Sequence, residues 1–226
     1  MSPQLLHIGN SHTPVVIVDN VAGERFAGAR AAAADLAPFP VSQTGYYPGI
    51  RRIVTEADEM AFAYVRALLE TAAPFIGGGF DADGFDLIEA SFSMVTRRPD
   101  QLVPAQRTPH FDSANPSYLA VLHYLSDTQG TGTAFYRQKS TGIETVNDGN
   151  IRQFIEAARR DGEEAHGFIN MSNEQYEQIG LVKAVPDRLV IYPGCLLHSG
   201  IIPAAMNFSG DPKTGRLTAN IFVMAR

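Results

Sequence analysis

From Phe85 onward the chain is a succession of short apolar, β-forming runs separated by turn residues, and this pattern most limits what it can fold into. The runs are 87–96 (LIEASFSMVT), 117–125 (SYLAVLHYL), 133–137 (TAFYR), 188–192 (RLVIY) and 216–224 (RLTANIFVM). Each is too short to read as a packed helix, and the last alternates apolar with polar positions as a half-buried strand does. Several such strands bury their apolar faces only by packing sheet on sheet or by closing into a barrel. One helical stretch interrupts them at 150–162, with Ile151, Phe154, Ile155 and Ala158 on one side, and a shorter helix is expected around 172–180.

The first 84 residues read differently. Residues 15–19 (VVIVD) predict a short buried strand, and Glu24–Leu36 predicts an Ala-rich helix ended by Pro38 and Pro40. Residues 41–52 predict a loop. A second helix is expected from Glu56 to Ala73, with Met60, Tyr64, Ala67 and Leu68 at helical spacing and Pro74 as its stop. Residues 77–86 (GGGFDADGFD) predict a turn-rich break. The expected organisation is one domain over 1–226. Residues 1–84 would supply an N-terminal strand and supporting helices, and 85–226 a β core with a helical insertion near 150–180.

Composition closes off several classes of function. Hydrophobic residues make up 45% of the chain and charged residues 19%, which excludes wholesale disorder. Eighteen Lys and Arg against 24 Asp and Glu leave a net charge of −6, so a nucleic-acid partner is not expected. A single cysteine excludes an internal disulfide and a thiolate-rich zinc site. No apolar run is long enough to span a membrane, and the N-terminal MSPQLLHIGNSHTP lacks the pattern of a secretory signal. The expected location is the cytoplasm.

Three short stretches carry the chemistry. In Q106–D112 (QRTPHFD), His110 and Asp112 stand two apart and share a face if the segment ends a strand. An imidazole and a carboxylate side by side are two of the three ligands of a 2-His-1-carboxylate iron site. Alone, the same pattern also suits a surface turn in which Asp112 caps the backbone of DSANP. The second stretch is GCLLHSG, where His198 follows the strand RLVIYPG; alone it suits a hydrogen-bonded structural histidine. In the third, GRLTANIF, Arg216, Thr218 and Asn220 share one strand face. A guanidinium with a hydroxyl beside it suits a planar carboxylate, although an edge strand with a solvated face reads the same way.

Taken in order, His-x-Asp, then His, then Arg-x-Thr resembles the iron(II)/2-oxoglutarate-dependent dioxygenases. The set is most similar to the prolyl-hydroxylase-type branch, over roughly residues 85–226, with SYLAVLHYLSDTQGTGTAFY part of the likeness. With PGIRR, QRTPHFD and YPGCLLHSG, the whole chain also looks like a bacterial family within that superfamily. The resemblance implies a mainly β fold with supporting helices: a double-stranded β-helix, or jelly roll, of cupin-like barrel shape. It implies that His110, Asp112 and His198 hold iron(II). Arg216 and Thr218 would bind the distal carboxylate of the cosubstrate 2-oxoglutarate, and Tyr124 would hydrogen-bond the same molecule. The implied reaction consumes molecular oxygen and oxidises a small-molecule or peptide substrate, with loss of carbon dioxide from 2-oxoglutarate to give succinate. A carboxylate at position 112 points to hydroxylation rather than halogenation.

Arg216 follows His198 by 18 residues, longer than is usual in this branch, so 201–214 must form a long loop between strands. Gln106, only four residues before His110, is expected within reach of the cosubstrate or substrate. His123 points away from the face of Tyr118, Ala120, Leu122 and Tyr124 and is expected to be structural. Cys195 is expected to be buried packing. The Arg- and Tyr-bearing segments 45–52 and 97–107 suit either a cover over the substrate or ordinary solvated loops. Two rivals stand beside the dioxygenase: a cupin-like metalloprotein with non-oxidative chemistry, and a catalytically idle barrel that serves as a binding module. The cupin-like rival has no need of the Arg216–Thr218 pair, and an idle barrel has no need of an intact set of three metal ligands.

Overall fold

Two antiparallel sheets make up the β structure of this computed structural model, which describes residues 2–42, 45–162 and 166–226. In chain order the elements are β1 (Ser2–Ile8), β2 (Thr13–Asp19), α1 (Phe26–Asp35), β3 (Gly49–Ile53), α2 (Glu59–Phe80), β4 (Phe85–Val95), β5 (Tyr118–Tyr124) and β6 (Gly132–Gln138). They continue with α3 (Ile151–Asp161), β7 (Tyr176–Lys183), β8 (Arg188–Pro193), β9 (His198–Ile201) and β10 (Leu217–Ala225). The larger sheet has seven strands in the order β1-β2-β8-β5-β10-β4-β3, and the smaller has three in the order β7-β6-β9.

Strand alternation divides the larger sheet into two faces. On the outer face Val16, Val18, Phe92, Leu119, Val121, Leu189, Ile191, Ala219 and Ile221 pack against Ala32 of α1 and Val65, Leu68, Ala72 and Ile76 of α2. On the inner face Val15, Ile17, Ala120, Leu122, Val190 and Tyr192 pack with Phe135 of β6 and Val182 of β7. Strands β5 and β8 are therefore covered on both sides, which is why their sequences are nearly continuous apolar runs. The inner face changes character toward β10, β4 and β3. There Tyr124, Thr218, Ser93 and Arg51 form a row across four strands, each opposite the next. Ser91 lies opposite Asn220, and Glu89 opposite Phe222. This polar strip inside a packed fold is the first structural sign of a site.

Several expectations are corrected. Residues 2–8, for which the sequence suggested no element, form β1 along the edge of β2. The expected loop at 41–52 contains β3 from Gly49; residues 43–44 of that stretch lie outside the described residues. Gly49 is required there, because a Cβ would stand 2.0 Å from the Met94 carbonyl oxygen. The first 84 residues thus supply three strands to the larger sheet rather than one.

Helix α2 does not stop before Pro74 but runs on to Phe80, with Asp81 in the left-handed conformation at its end. An internal proline costs about 3 kcal/mol. Burial of Ile76 and the packing of Phe75 and Phe80 on the outer core offset it, since a large apolar side chain contributes about 1.5–3 kcal/mol when buried. The short helix expected around 172–180 is instead strand β7, because pairing with β6 satisfies its backbone and buries Tyr176 and Val182. The helical insertion is confined to 151–161, and residues 163–165 of the expected 150–180 segment lie outside the described residues.

The β1–β2 turn is tied to the rest by Glu144. Its carboxylate accepts hydrogen bonds from the amides of Asn10 (3.0 Å) and Ser11 (2.9 Å) and from the Ser11 hydroxyl (2.7 Å). Arg137 Nε donates to the same carboxylate at 2.7 Å. Gly9, at φ +66°, makes the approach possible, since a Cβ there would lie 2.3 Å from Glu144 Oε2. Burial alone would raise the Glu144 pKa, but the hydrogen bonds from Ser11, Asn10 and Arg137 win and bring it down to about 2. A depressed folded-state pKa contributes stability above the unfolded value of 4.5 that is lost as pH falls through about 2. Glu144→Gln is therefore expected to lower the unfolding free energy at pH 7 by roughly 2 kcal/mol. In denaturant titrations the deficit should narrow between pH 4.5 and pH 2.5.

Candidate metal centre

His110 belongs to no strand. The loop that carries it is fixed to the start of β9 by a reciprocal backbone pair, His110 N–H to His198 O and His198 N–H to His110 O, both 2.9 Å. This bridge sets the two imidazoles beside each other, with ring centroids 4.3 Å apart. Asp112 is fixed independently, its amide donating to Gly194 O at 2.7 Å, while Gly194 N–H donates to Tyr118 O at 2.7 Å. Glycine is needed at 194 because a Cβ would come 2.9 Å from the Tyr118 ring and 3.2 Å from Asp112 Cβ.

The result is a compact donor set. Asp112 Oδ2 lies 3.5 Å from His198 Nε2, and Asp112 Oδ1 lies 3.9 Å from His110 Nε2. One ligand atom from each of the three residues falls within 4.8 Å of the others, the only such cluster of His, Cys, Asp or Glu among the described residues. His198 Nδ1 lies 2.8 Å from Leu196 O, which fixes its proton on Nδ1 and leaves the Nε2 lone pair free. His110 is more open: 53% of its side chain is exposed, against 6% for His198. Burial holds the His198 imidazole near pKa 4; His110 is lowered to about 4 by loss of hydration on the side of its ring that turns in toward Asp112, with the neighbouring His198 adding to the effect. Both rings are therefore neutral near pH 7, the state that can donate a lone pair. Burial raises the Asp112 pKa, against the pull of His110 and Arg51. Two neutral imidazoles and one carboxylate with an open side suit a divalent transition metal.

Near His198 the polar strip becomes buried. Arg216, just ahead of β10, is 6% exposed, and Thr218 is 2% exposed. The Arg216 guanidinium lies over the Tyr124 ring at 6.0 Å and donates to Gly132 O through a long 3.4 Å contact. Tyr124 and Thr133 share a hydroxyl–hydroxyl hydrogen bond of 2.7 Å. Arg216 Nε is buried without a partner, and the Tyr47 hydroxyl lies beside the Ser93 and Thr218 hydroxyls. Leaving a buried guanidinium nitrogen unsatisfied costs about 1–3 kcal/mol, and a fold tolerates it where a ligand supplies the missing partner. The residues present therefore fit an anionic, hydrogen-bonding guest beside the candidate metal ligands. The long connection from 202 to 216 is a loop, and it delivers Arg216 to this buried strip.

Tyr47 was missed by sequence reasoning. Its hydroxyl lies among Ser93, Thr218 and Arg216, and burial raises its pKa against the opposing pull of Arg216 and Arg51. The only signal was its place in GYYPGIRR, a segment already marked as a possible cover.

Gln106 stands elsewhere. Its amide donates to Gly45 O at 2.8 Å, and its carbonyl accepts from Val103 N–H at 3.2 Å. These bonds fasten the segment that carries Tyr47. His123, fully buried on the helix side of β5, is held between the Tyr64 hydroxyl (2.7 Å) and Asp187 (3.0 Å). Cys195 is buried, and burial pushes its thiol pKa up, which suits packing. A separate cleft of about 360 Å³ between α1 and α2 is lined by Ala29, Ala32, Ala63 and Tyr64 and contains none of the candidate site residues.

Two sheets wound in this order, with supporting helices on one outer face, form the double-stranded β-helix of the iron(II)/2-oxoglutarate oxygenases. The chain belongs to the family described as "Family of unknown function (DUF6445)", which it matches over residues 1–223. It is similar to the crystal structure of HygX from Streptomyces hygroscopicus with nickel and 2-oxoglutarate bound. That likeness has 15% identity and TM-score 0.56, over 94% of this chain and 83% of HygX. It is also similar to the non-heme alpha ketoglutarate dependent epimerase SnoN from nogalamycin biosynthesis (11% identity, TM-score 0.54, 93% of this chain and 77% of that one). An oxidoreductase of the 2OG-Fe(II) oxygenase family from Burkholderia pseudomallei matches at 12% identity and TM-score 0.51, over 93% of this chain and 84% of that one. At these identities the likeness is one of fold. No curated protein matches the chain in sequence. None of the helices among the described residues is long and apolar enough to cross a membrane.

Gln106→Ala should release the segment that carries Tyr47. Hydrogen exchange of the amides around 45–49 is expected to quicken at least tenfold, with global stability lowered by only about 1 kcal/mol.

Proposed function

We propose that this protein is a non-haem iron(II)- and 2-oxoglutarate-dependent dioxygenase that hydroxylates its substrate and converts the cosubstrate to succinate. The observation that carries the reading is the His110–Asp112–His198 donor set together with a buried Arg216 whose Nε has no partner. A cupin-like or idle barrel has no use for that arginine.

In this reading His110, Asp112 and His198 hold iron(II) on one side and leave its other side open. Bound iron supplies the chemistry that the side chains lack, activating oxygen for insertion into an unactivated C–H bond. The remaining residues orient and exclude water. Arg216 offers its guanidinium to the distal carboxylate of 2-oxoglutarate, and Thr218, Ser93 and the Tyr47 hydroxyl stand where they can complete its hydrogen bonds. Tyr124, tied to Thr133, supports the guanidinium through its ring face. The Leu196 carbonyl keeps the His198 proton on Nδ1, so that the lone pair on Nε2 always faces the metal side. An iron(II) centre requires a reducing compartment, and a cytoplasmic location agrees with that.

Anaerobic addition of iron(II) and 2-oxoglutarate should produce the weak visible charge-transfer band of the chelate. Its absence from the wild-type protein would overturn the reading, as would its persistence in a His110→Ala/His198→Ala double variant. Arg216→Met should weaken 2-oxoglutarate binding by at least a hundredfold in calorimetry, the cost of leaving a buried charge unpaired (about 2–5 kcal/mol). The same variant should keep its affinity for nickel(II) within about threefold.

A further inference from the structure

Resting on the dioxygenase reading above, we propose that Arg51, Glu89, Tyr118 and Phe222 form the wall that recognises the substrate. We assign that substrate to the small zwitterions of the amino-acid class, with the carboxylate on Arg51 and the ammonium on Glu89.

The wall is continuous with the metal ligands. Tyr118 meets Asp112 across Gly194, where a Cβ would strike both. The Tyr118 ring stacks on Phe222 with centroids 5.3 Å apart, and the Arg51 guanidinium lies over the other ring at 5.7 Å. Electrostatics follow the same path: Tyr118 is pushed up to about 12 by burial and by Asp112 and Glu89, with Arg51 opposing. The four side chains therefore form one continuous patch beside Asp112, on the sheet face that also carries Ser93 and Thr218.

Arg51 and Glu89 are held but not used up. Arg51 Nε donates to Ser91 Oγ at 2.8 Å, and Nη2 donates to Glu89 Oε1 at 2.6 Å. Among the described residues Arg51 Nη1 and Glu89 Oε2 find no hydrogen-bond partner, and the two side chains remain 20% and 35% exposed. A rigid, partly open ion pair presents donors and an acceptor side by side. A lone anion drawn to Arg51 is repelled by Glu89, and a lone cation meets the reverse. A molecule with both charges a few bonds apart satisfies the pair without a net charge penalty, and its ammonium also gains from the rim of aromatic rings. The fixed spacing of the pair favours one orientation, which presents the rest of the molecule to the open side of the metal.

The test uses the full chain loaded with nickel(II) and 2-oxoglutarate, which does not turn over. Three mixtures are presented as probes in saturation-transfer NMR: the free proteinogenic L-amino acids, their decarboxylated amines and their N-acetyl derivatives. Free amino acids should receive saturation, with at least one member binding tenfold or more tightly than its amine and its N-acetyl counterpart. Glu89→Gln should reduce that preference at least tenfold, and Arg51→Lys should do the same for the contrast with the amine. If the iron chelate band forms normally but no free amino acid binds, or all three mixtures bind alike, the inference falls and the dioxygenase reading survives. A wild-type preference that is unchanged in Glu89→Gln would equally overturn the assignment to this wall. Loss of the chelate band in the wild-type protein would remove both.

Discussion

The reciprocal backbone pairing of His110 with His198 is the constraint on which the candidate site depends. It joins a strandless loop to the first residue of β9 by two hydrogen bonds of 2.9 Å, and so brings together residues 88 positions apart. The neighbouring Asp112–Gly194 bond fixes the third donor to the same segment of chain. Because these contacts are made by backbone, the imidazole and carboxylate atoms remain free to face one another. The site is thus positioned by groups that its chemistry does not consume, which is how a preorganised ligand set avoids competing with its own scaffold.

Around that stitch the larger sheet does two jobs at once. Its outer face and half of its inner face are apolar and give the fold its core. The remaining inner strip, on β3, β4 and β10, holds Arg51, Glu89, Ser91, Ser93, Thr218 and Asn220 at neighbouring register positions. Polar groups in such a place are costly unless they are paired, and the strip divides into a paired part and an orphaned part. Arg51 is paired with Glu89 and Ser91, whereas Arg216 Nε has no partner. The strip therefore holds a charge-balanced part at Arg51–Glu89 and an unpaired guanidinium nitrogen at Arg216.

Much of the fold was legible from residue pattern. The runs at 117–125, 188–192 and 216–224 are strands because β-branched and aromatic residues at those positions bury well on a pleated surface, and α3 shows its helical period plainly. The errors have local causes. Pro74 and Gly77–Gly79 signalled a helix end, but packing against the sheet carried the helix three residues past Gly77. The segment 176–183 carries no strong strand alternation, and its state was decided by the open edge of β6. Residues 2–8 form an edge strand whose sequence needs to satisfy only one neighbour and therefore carries a weaker signature, and 49–53 is a short strand inside a segment rich in Gly and Pro.

The residue types capable of the proposed chemistry, and their order along the chain, could be read from the letters: His110, Asp112, His198, Arg216 and Thr218. So could the structural role of His123, from the parity of β5. Tertiary structure decided which other groups stand beside them. Gln106 is close to His110 in the chain but is turned toward the backbone of residues 45 and 47. Tyr47 is distant in the chain but has its hydroxyl buried beside Arg216. The reason is geometric. Alternation fixes the face of a residue within its own strand, whereas the side chains that loops contribute depend on how two sheets and their connections close in three dimensions.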